Sequence, residues 1–134
     1  MDKDEIILRM RDILATFPQL RVAYLYGSFL SRDDFRDLDL ALLIDNRSGE
    51  ENTLKFTAMV GDVLEEALGF SHECDIRVLN NDPIWFRYEI ISTGIPLYIK
   101  NADDRFDFET DVLIEYQDIK YMYDLFDRKY LAQV

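Results

Sequence analysis

The sequence predicts an α+β fold: a small mixed sheet flanked by helices and closed by a long C-terminal helix. Apolar or alternating runs of strand length occur at Val22 to Tyr26, Leu38 to Ile44, Glu73 to Leu79 and Pro96 to Ile99. The segments between them carry apolar residues at helical spacing. No repeat, linker or low-complexity stretch interrupts this order, so the 134 residues read as one domain, 1–134, large enough to bury a core without disulfides.

Each element has its own signal. Ile6, Met10, Ile13 and Phe17, with Ile7 and Leu14 beside them, mark an amphipathic helix that stops near Pro18. The run Val22 to Tyr26 ends in Gly27-Ser28. Glycine accepts φ > 0, so the chain can turn tightly there and present backbone N–H groups at the start of a short helix, where a phosphate would sit. In the next strand Leu38, Leu40, Leu42 and Ile44 share one face, and Asp37, Asp39, Ala41 and Leu43 share the other. A polar break at Asp45 to Gly49 leads into a helix with Leu54, Ala58, Val60, Val63, Leu64, Ala67 and Leu68 as its apolar stripe and Gly69 as its cap.

The strand after His72 alternates strictly, with Glu73, Asp75 and Arg77 on one side and Cys74, Ile76 and Val78 on the other. Pro83 opens a short helix through Ile91, Gly94 ends it, and Pro96 to Ile99 reads as an edge strand because proline is tolerated there. The last helix runs from about Asp103 to Leu131. Its stripe of Val112, Tyr116, Ile119, Tyr123, Phe126 and Tyr130 follows heptad steps of four and three. Packing against the sheet is expected for most of that stripe, and a partner helix is the alternative.

The acids carry the chemistry. Asp37 and Asp39 point to one side of an extended strand, roughly 6.5–7 Å apart, and Asp75 joins them if its strand is the neighbour. Strands are poor in aspartate, and gathering unpaired carboxylates is unfavourable unless a hard cation such as Mg2+ neutralises them. Arg32 is a candidate triphosphate contact or a surface ion pair, whereas Asp33, Asp34 and Arg36 read as a solvated loop. His72 reads as a partly buried structural histidine and Cys74 as a buried thiol. Trp85, Phe86 and Tyr88 read as core or lid in preference to a base-stacking platform.

Taken together, the Gly27-Ser28 turn, the Asp37-Leu38-Asp39 strand and the later Asp75 resemble the minimal nucleotidyltransferases of the DNA polymerase β superfamily. Ser92 to Tyr98 resembles the helix-end-to-edge-strand segment that follows the third Asp in that family, so the resemblance covers nearly the whole chain. It implies nucleotidyl transfer with two Mg2+ ions. In that scheme Gly27 and Ser28 hold the triphosphate, Asp37 and Asp39 bind metal, and Asp75 completes the site and helps to activate the attacking hydroxyl. One departure is the eight-residue stretch Phe29 to Arg36, shorter than is usual in the family and without a glycine after Arg32. The resemblance further implies a HEPN-domain toxin as partner and AMP transfer from ATP to a tyrosine of that toxin, which makes the chain an antitoxin. Two alternatives stay open: a module that neutralises its toxin by docking alone, and a small-molecule nucleotidyltransferase of the aminoglycoside type.

Charge and composition narrow the setting. A net charge of −12 and a pI near 4.4 oppose direct binding to nucleic acid and favour encounter with basic partners. The N-terminus lacks the layout of a signal peptide, no apolar stretch approaches a membrane span, and the single cysteine excludes an internal disulfide. A cytoplasmic protein is expected.

Overall fold

The structure is a computed structural model that describes residues 1–45 and 50–131. Along the chain run α1 (Lys3–Leu14), β1 (Leu20–Tyr26), α2 (Ser28–Ser31), β2 (Asp37–Ile44), α3 (Glu50–Ala67), β3 (Glu73–Val78), α4 (Ile84–Thr93), β4 (Ile95–Ile99) and α5 (Ala102–Leu131). The polar break predicted at Asp45 to Gly49 falls, beyond Asp45, outside the described residues. The strands form one mixed sheet in the order β3-β2-β1-β4. β1 runs antiparallel to both β2 and β4, and β2 runs parallel to β3.

Alternation in β2 explains the layering. Leu38, Leu40, Leu42 and Ile44 pack with Ile6, Met10 and Leu14 of α1 and with Phe56, Val60 and Leu64 of α3 on one face. Ala41 and Leu43 pack with Val22, Tyr24, Phe86 and Ile90 on the opposite face, which α4 and the first part of α5 cover. Both faces of β1 and β2 are therefore dry except at the end that carries Asp37 and Asp39. Burying apolar area at roughly 25 cal/mol per Å2 on two faces holds this register firmly, because a one-residue slip would carry every leucine of β2 to the wrong side.

Local chemistry sets the ends of the elements. The Asp2 side chain caps α1 by accepting from the Glu5 amide at 2.9 Å. Asn80 clamps the far end of β2 from the chain beyond β3, accepting from the Ile44 amide at 3.0 Å and donating to the Ile44 carbonyl at 2.7 Å.

Two helices depart from the sequence expectation. In α3 the buried line is Phe56, Val60, Leu64 and Leu68, in steps of four, while Leu54 and Ala58 face solvent. Helical spacing alone left the phase of the stripe open, because apolar residues also lie on its flanks. In α5 only Val112 is fully buried, and the predicted packing on the sheet ends near Tyr116, whose ring stacks on Tyr88 at 3.6 Å. Beyond it the helix outruns the sheet and the stripe is open, with Tyr123 68% and Phe126 57% exposed.

Gly94 ends α4 for a reason other than the left-handed backbone that usually favours glycine there. Its φ is −77°, and a Cβ would stand 2.8 Å from the Ile90 carbonyl oxygen and 3.3 Å from that of Leu25. Both are backbone atoms that cannot swing aside. Gly94→Ala is expected to lower stability by about 1–3 kcal/mol as an overpacking change, measured by urea unfolding. An unchanged midpoint would show that the α4–β4 corner is looser than its geometry indicates.

Candidate active site

The open mouth of the sheet gathers the acids. The parallel β2/β3 pair places Asp39 directly opposite Asp75 and Asp37 opposite Glu73. Paired strands lie about 4.8 Å apart, so Asp39 and Asp75 are adjacent on one face, with Asp37 one alternation further along it. The electrostatics agree. Burial, then the Asp75 charge, then the Asp37 charge push the Asp39 carboxyl above its ordinary range.

The Gly27-Ser28 turn meets this cluster from β1. Gly27 sits at φ 80°, ψ −152°, a conformation that an L side chain rarely adopts, and Ser28 begins α2. Space is as decisive as torsion here, because a Cβ on Gly27 would overlap the Asp39 carboxylate. The glycine thus lets an acid lie against the turn that presents Ser28.

Ser28 and Asp37 line a cleft of about 330 Å3 together with Arg32, Asp34, Phe35 and Arg36. Arg32 resolves one of the sequence alternatives. Its guanidinium donates twice to the Asp34 carboxylate, both at 2.9 Å, and holds that exposed carboxyl below its usual range. It is an ion-pair partner that also borders the cleft. Arg36, read from sequence as mere solvated loop, borders this cleft and a second one of about 600 Å3 beside His72 and Glu73.

The short loop after α2 is braced at several points. The Phe35 ring packs edge-on against Phe29 and stacks on His72 at 4.8 Å, which assigns His72 to structure as expected. Lys3 is a contributor that sequence reasoning missed. Its ammonium donates to the Phe29 carbonyl at 2.6 Å and the Arg32 carbonyl at 2.8 Å, and so satisfies the C-terminal end of α2 from α1. A charged residue at a helix start gives no sign of such a partner 26 to 29 positions away. Tyr26 was also missed. It is the cross-strand partner of Asp39, and burial with the nearby Asp39 and Asp75 charges pushes its phenol up to about 12. Burial and Glu65 push the Cys74 thiol up to about 12, away from the reactive thiolate form.

Among the described residues no group of three or more His, Cys, Asp or Glu side chains forms a ready-made metal cage. The donor set nevertheless suits a hard divalent cation: three carboxylates on one open face, one of them raised by burial and by its neighbours' charge, beside a turn cleared of Cβ. Relief of that repulsion is what a cation would supply.

Comparison with known proteins adds a family. The family model "Polymerase beta, Nucleotidyltransferase" matches residues 9–103. No curated protein matches the sequence closely enough to count as a relative. Among solved structures, a chain of the toxin–antitoxin MntA–HepT crystal structure is 18% identical with a TM-score of 0.65, over 96% of this chain and 99% of that one. A toxin–antitoxin structure with AMP-PNP gives 21% identity and 0.64, over 98% and 99% of the two chains. A complex of tri-AMPylated Shewanella oneidensis HEPN toxin with MNT antitoxin gives 20% and 0.59, over 96% and 94%. At these identities the likeness is one of fold.

The raised Asp39 has a consequence for stability. A carboxyl whose folded-state value lies above its unfolded one binds protons better when folded, so stability is fullest below the unfolded value and falls as pH rises through the folded one. At neutral pH the ionised cluster therefore opposes folding. Asp39→Asn is expected to raise the melting temperature at pH 7, with a gap that narrows on acidification as Asp39 in the native chain becomes protonated. A lower melting temperature for the variant across the whole pH range would contradict mutual repulsion at this site.

Proposed function

The chain belongs to the polymerase β nucleotidyltransferase family, and we propose that it transfers AMP from ATP to a tyrosine hydroxyl of a partner HEPN-domain toxin and thereby acts as the antitoxin. The observation that carries the reading is the register of Asp39 against Asp75 on the same open face as the Gly27-Ser28 turn. The fold neighbours support the choice of reaction and partner, since one holds AMP-PNP and another is a complex of MNT antitoxin with an AMPylated HEPN toxin.

In this mechanism the amides of the Gly27-Ser28 turn and the Ser28 hydroxyl hold the phosphates, and Arg32 and Arg36 add positive charge at the cleft. Asp37, Asp39 and Asp75 would hold Mg2+, which when bound neutralises the triphosphate and the leaving pyrophosphate. Asp75 stands at the edge of the cluster, exposed, where an incoming hydroxyl can reach it, and it accepts the acceptor's proton. The acceptor oxygen bonds to the α-phosphorus, the α–β anhydride breaks, and pyrophosphate leaves. Most of the acceleration in such a site is electrostatic and positional.

Partner binding is assigned to the outer half of α5. Tyr123, Phe126, Tyr130 and Met122 are exposed along a helix that has left the sheet, and aromatic side chains that bury a large ring and keep a polar tip are favoured at interfaces. Overall charge would assist encounter with a basic toxin. A cytoplasmic setting fits the absence, among the described residues, of any helix long and apolar enough to cross a membrane.

The test uses labelled ATP, Mg2+ and the product of the adjacent reading frame. Label should become covalently attached to that product, and Asp37→Asn with Asp39→Asn should reduce the rate by at least ~100-fold. Tyr123→Ala with Phe126→Ala should abolish co-elution of the two proteins in size exclusion while leaving ATP binding intact. If the double aspartate variant neutralises the toxin as well as the native chain does, docking without chemistry replaces this reading. Labelling of an aminoglycoside instead of the protein would make the chain a small-molecule enzyme.

A further inference from the structure

We propose that Trp85 is the stacking surface for the base of the bound nucleotide, with the Arg77 guanidinium beside it; the inference rests on the nucleotidyltransferase reading of the same site. Trp85 lies in the first turn of α4 and is the only tryptophan of the chain. It is 59% exposed, whereas its neighbour Phe86 is buried. Its ring is therefore open to solvent and free to meet a ligand.

The contacts around it lead to the proposed site. The Trp85 and Phe86 rings meet edge-on with centroids 5.9 Å apart. Phe86 in turn meets the Tyr26 ring at 5.8 Å and lies under the Arg77 guanidinium at 3.9 Å. Tyr26 directly precedes Gly27 and is the register partner of Asp39. Arg77 follows Asp75 by one alternation of β3, about 7 Å along the same strand face. One continuous set of aromatic and cationic groups thus runs from the phosphate turn and the acids to Trp85, on the sheet face that α4 covers.

The chemistry of these groups suits a nucleobase. A base presents a flat π-face and polar edges, and it binds best to a flat ring with a fixed cation at its rim. Arg77 is held in place, because its Nε donates to the Asp82 carboxylate at 2.9 Å while its Cζ lies 3.9 Å from the centre of the Phe86 ring. Its remaining N–H groups are placed for a base edge or a ribose hydroxyl. With phosphates on the Gly27-Ser28 turn, the nucleoside spans the interval from the acids to α4.

Trp85 supplies its own probe. Mg·AMP-PNP titrated into the native chain should quench the intrinsic tryptophan fluorescence saturably, with the dissociation constant obtained by calorimetry. Trp85→Ala should weaken AMP-PNP binding by about tenfold or more, Trp85→Phe should recover most of it, and Mg·tripolyphosphate, which has no base, should bind all three proteins within about twofold of one another. Equal AMP-PNP affinity in native and Trp85→Ala proteins overturns the stacking role and leaves the nucleotidyltransferase reading standing. Parallel loss of tripolyphosphate binding also overturns it, since the variant would then be disturbing the phosphate turn. Failure of the native chain to bind AMP-PNP at all removes the nucleotide reading and this inference together.

Discussion

Parallel pairing of β2 with β3 is the constraint on which the rest of the molecule depends, because it sets Asp39 opposite Asp75 at an end of the sheet open to water. That register is held by apolar side chains and not by the acids. Leu38, Leu40 and Leu42 alternate with the aspartates and are locked into the layer formed by α1 and α3, and Ala41 and Leu43 are locked into the layer below α4. A slip by one residue would push Leu38, Leu40 and Leu42 into the layer that now holds Ala41 and Leu43 and would bury two carboxylates under α1 and α3, so the hydrophobic layers enforce an arrangement that electrostatics alone would disperse. Asn80 fixes the opposite end of the same strand pair through both backbone groups of Ile44.

The cost of the arrangement falls on folding. Asp39 is held above its ordinary range by burial and by two like charges, and the missing side chain of Gly27 leaves room for the Asp39 carboxylate against the Gly27-Ser28 turn. Such local conflict between stability and placement is typical of functional sites. The supporting groups are conventional by comparison. Lys3 satisfies the end of α2, Phe35 bridges Phe29 and His72, and the loop of Phe29 to Arg36 is thereby braced on both sides despite its shortness.

The architecture was legible in the sequence to the extent that it is written in alternation. Period-two runs gave β2 and β3 with the faces of their acids, and Gly27, Gly69, Pro83 and Gly94 marked the turns where they occur. Phase in a helix is harder to read: α3 buries Val60 and Leu64 as expected, but also Phe56, which lay outside the expected stripe, and leaves Leu54 and Ala58 exposed, because several faces of that helix carry apolar residues. The outer half of α5 carries a heptad stripe with no layer beneath it. A sequence reports that such a stripe is apolar but not what lies opposite, so packing on the sheet was the natural and mistaken expectation there. Long-range partners were also beyond reach: the Tyr26 to Asp39 pairing depends on the β1/β2 register, and the Lys3 contacts depend on where α1 docks. For Arg32 the sequence offered a triphosphate contact or a surface ion pair, and the structure shows the ion pair, with Asp34, at the border of the cleft.

The central claim is that the acids of β2 and β3 and the Gly27-Ser28 turn act as one nucleotide site. The most direct measurement is a crystal structure of the chain grown with Mg2+ and AMP-PNP. The account predicts Mg2+ bound between the Asp37, Asp39 and Asp75 carboxylates, with the triphosphate on the amides that follow Gly27. A nucleotide seated elsewhere on the molecule, or Mg2+ that touches none of the three aspartates, would contradict it.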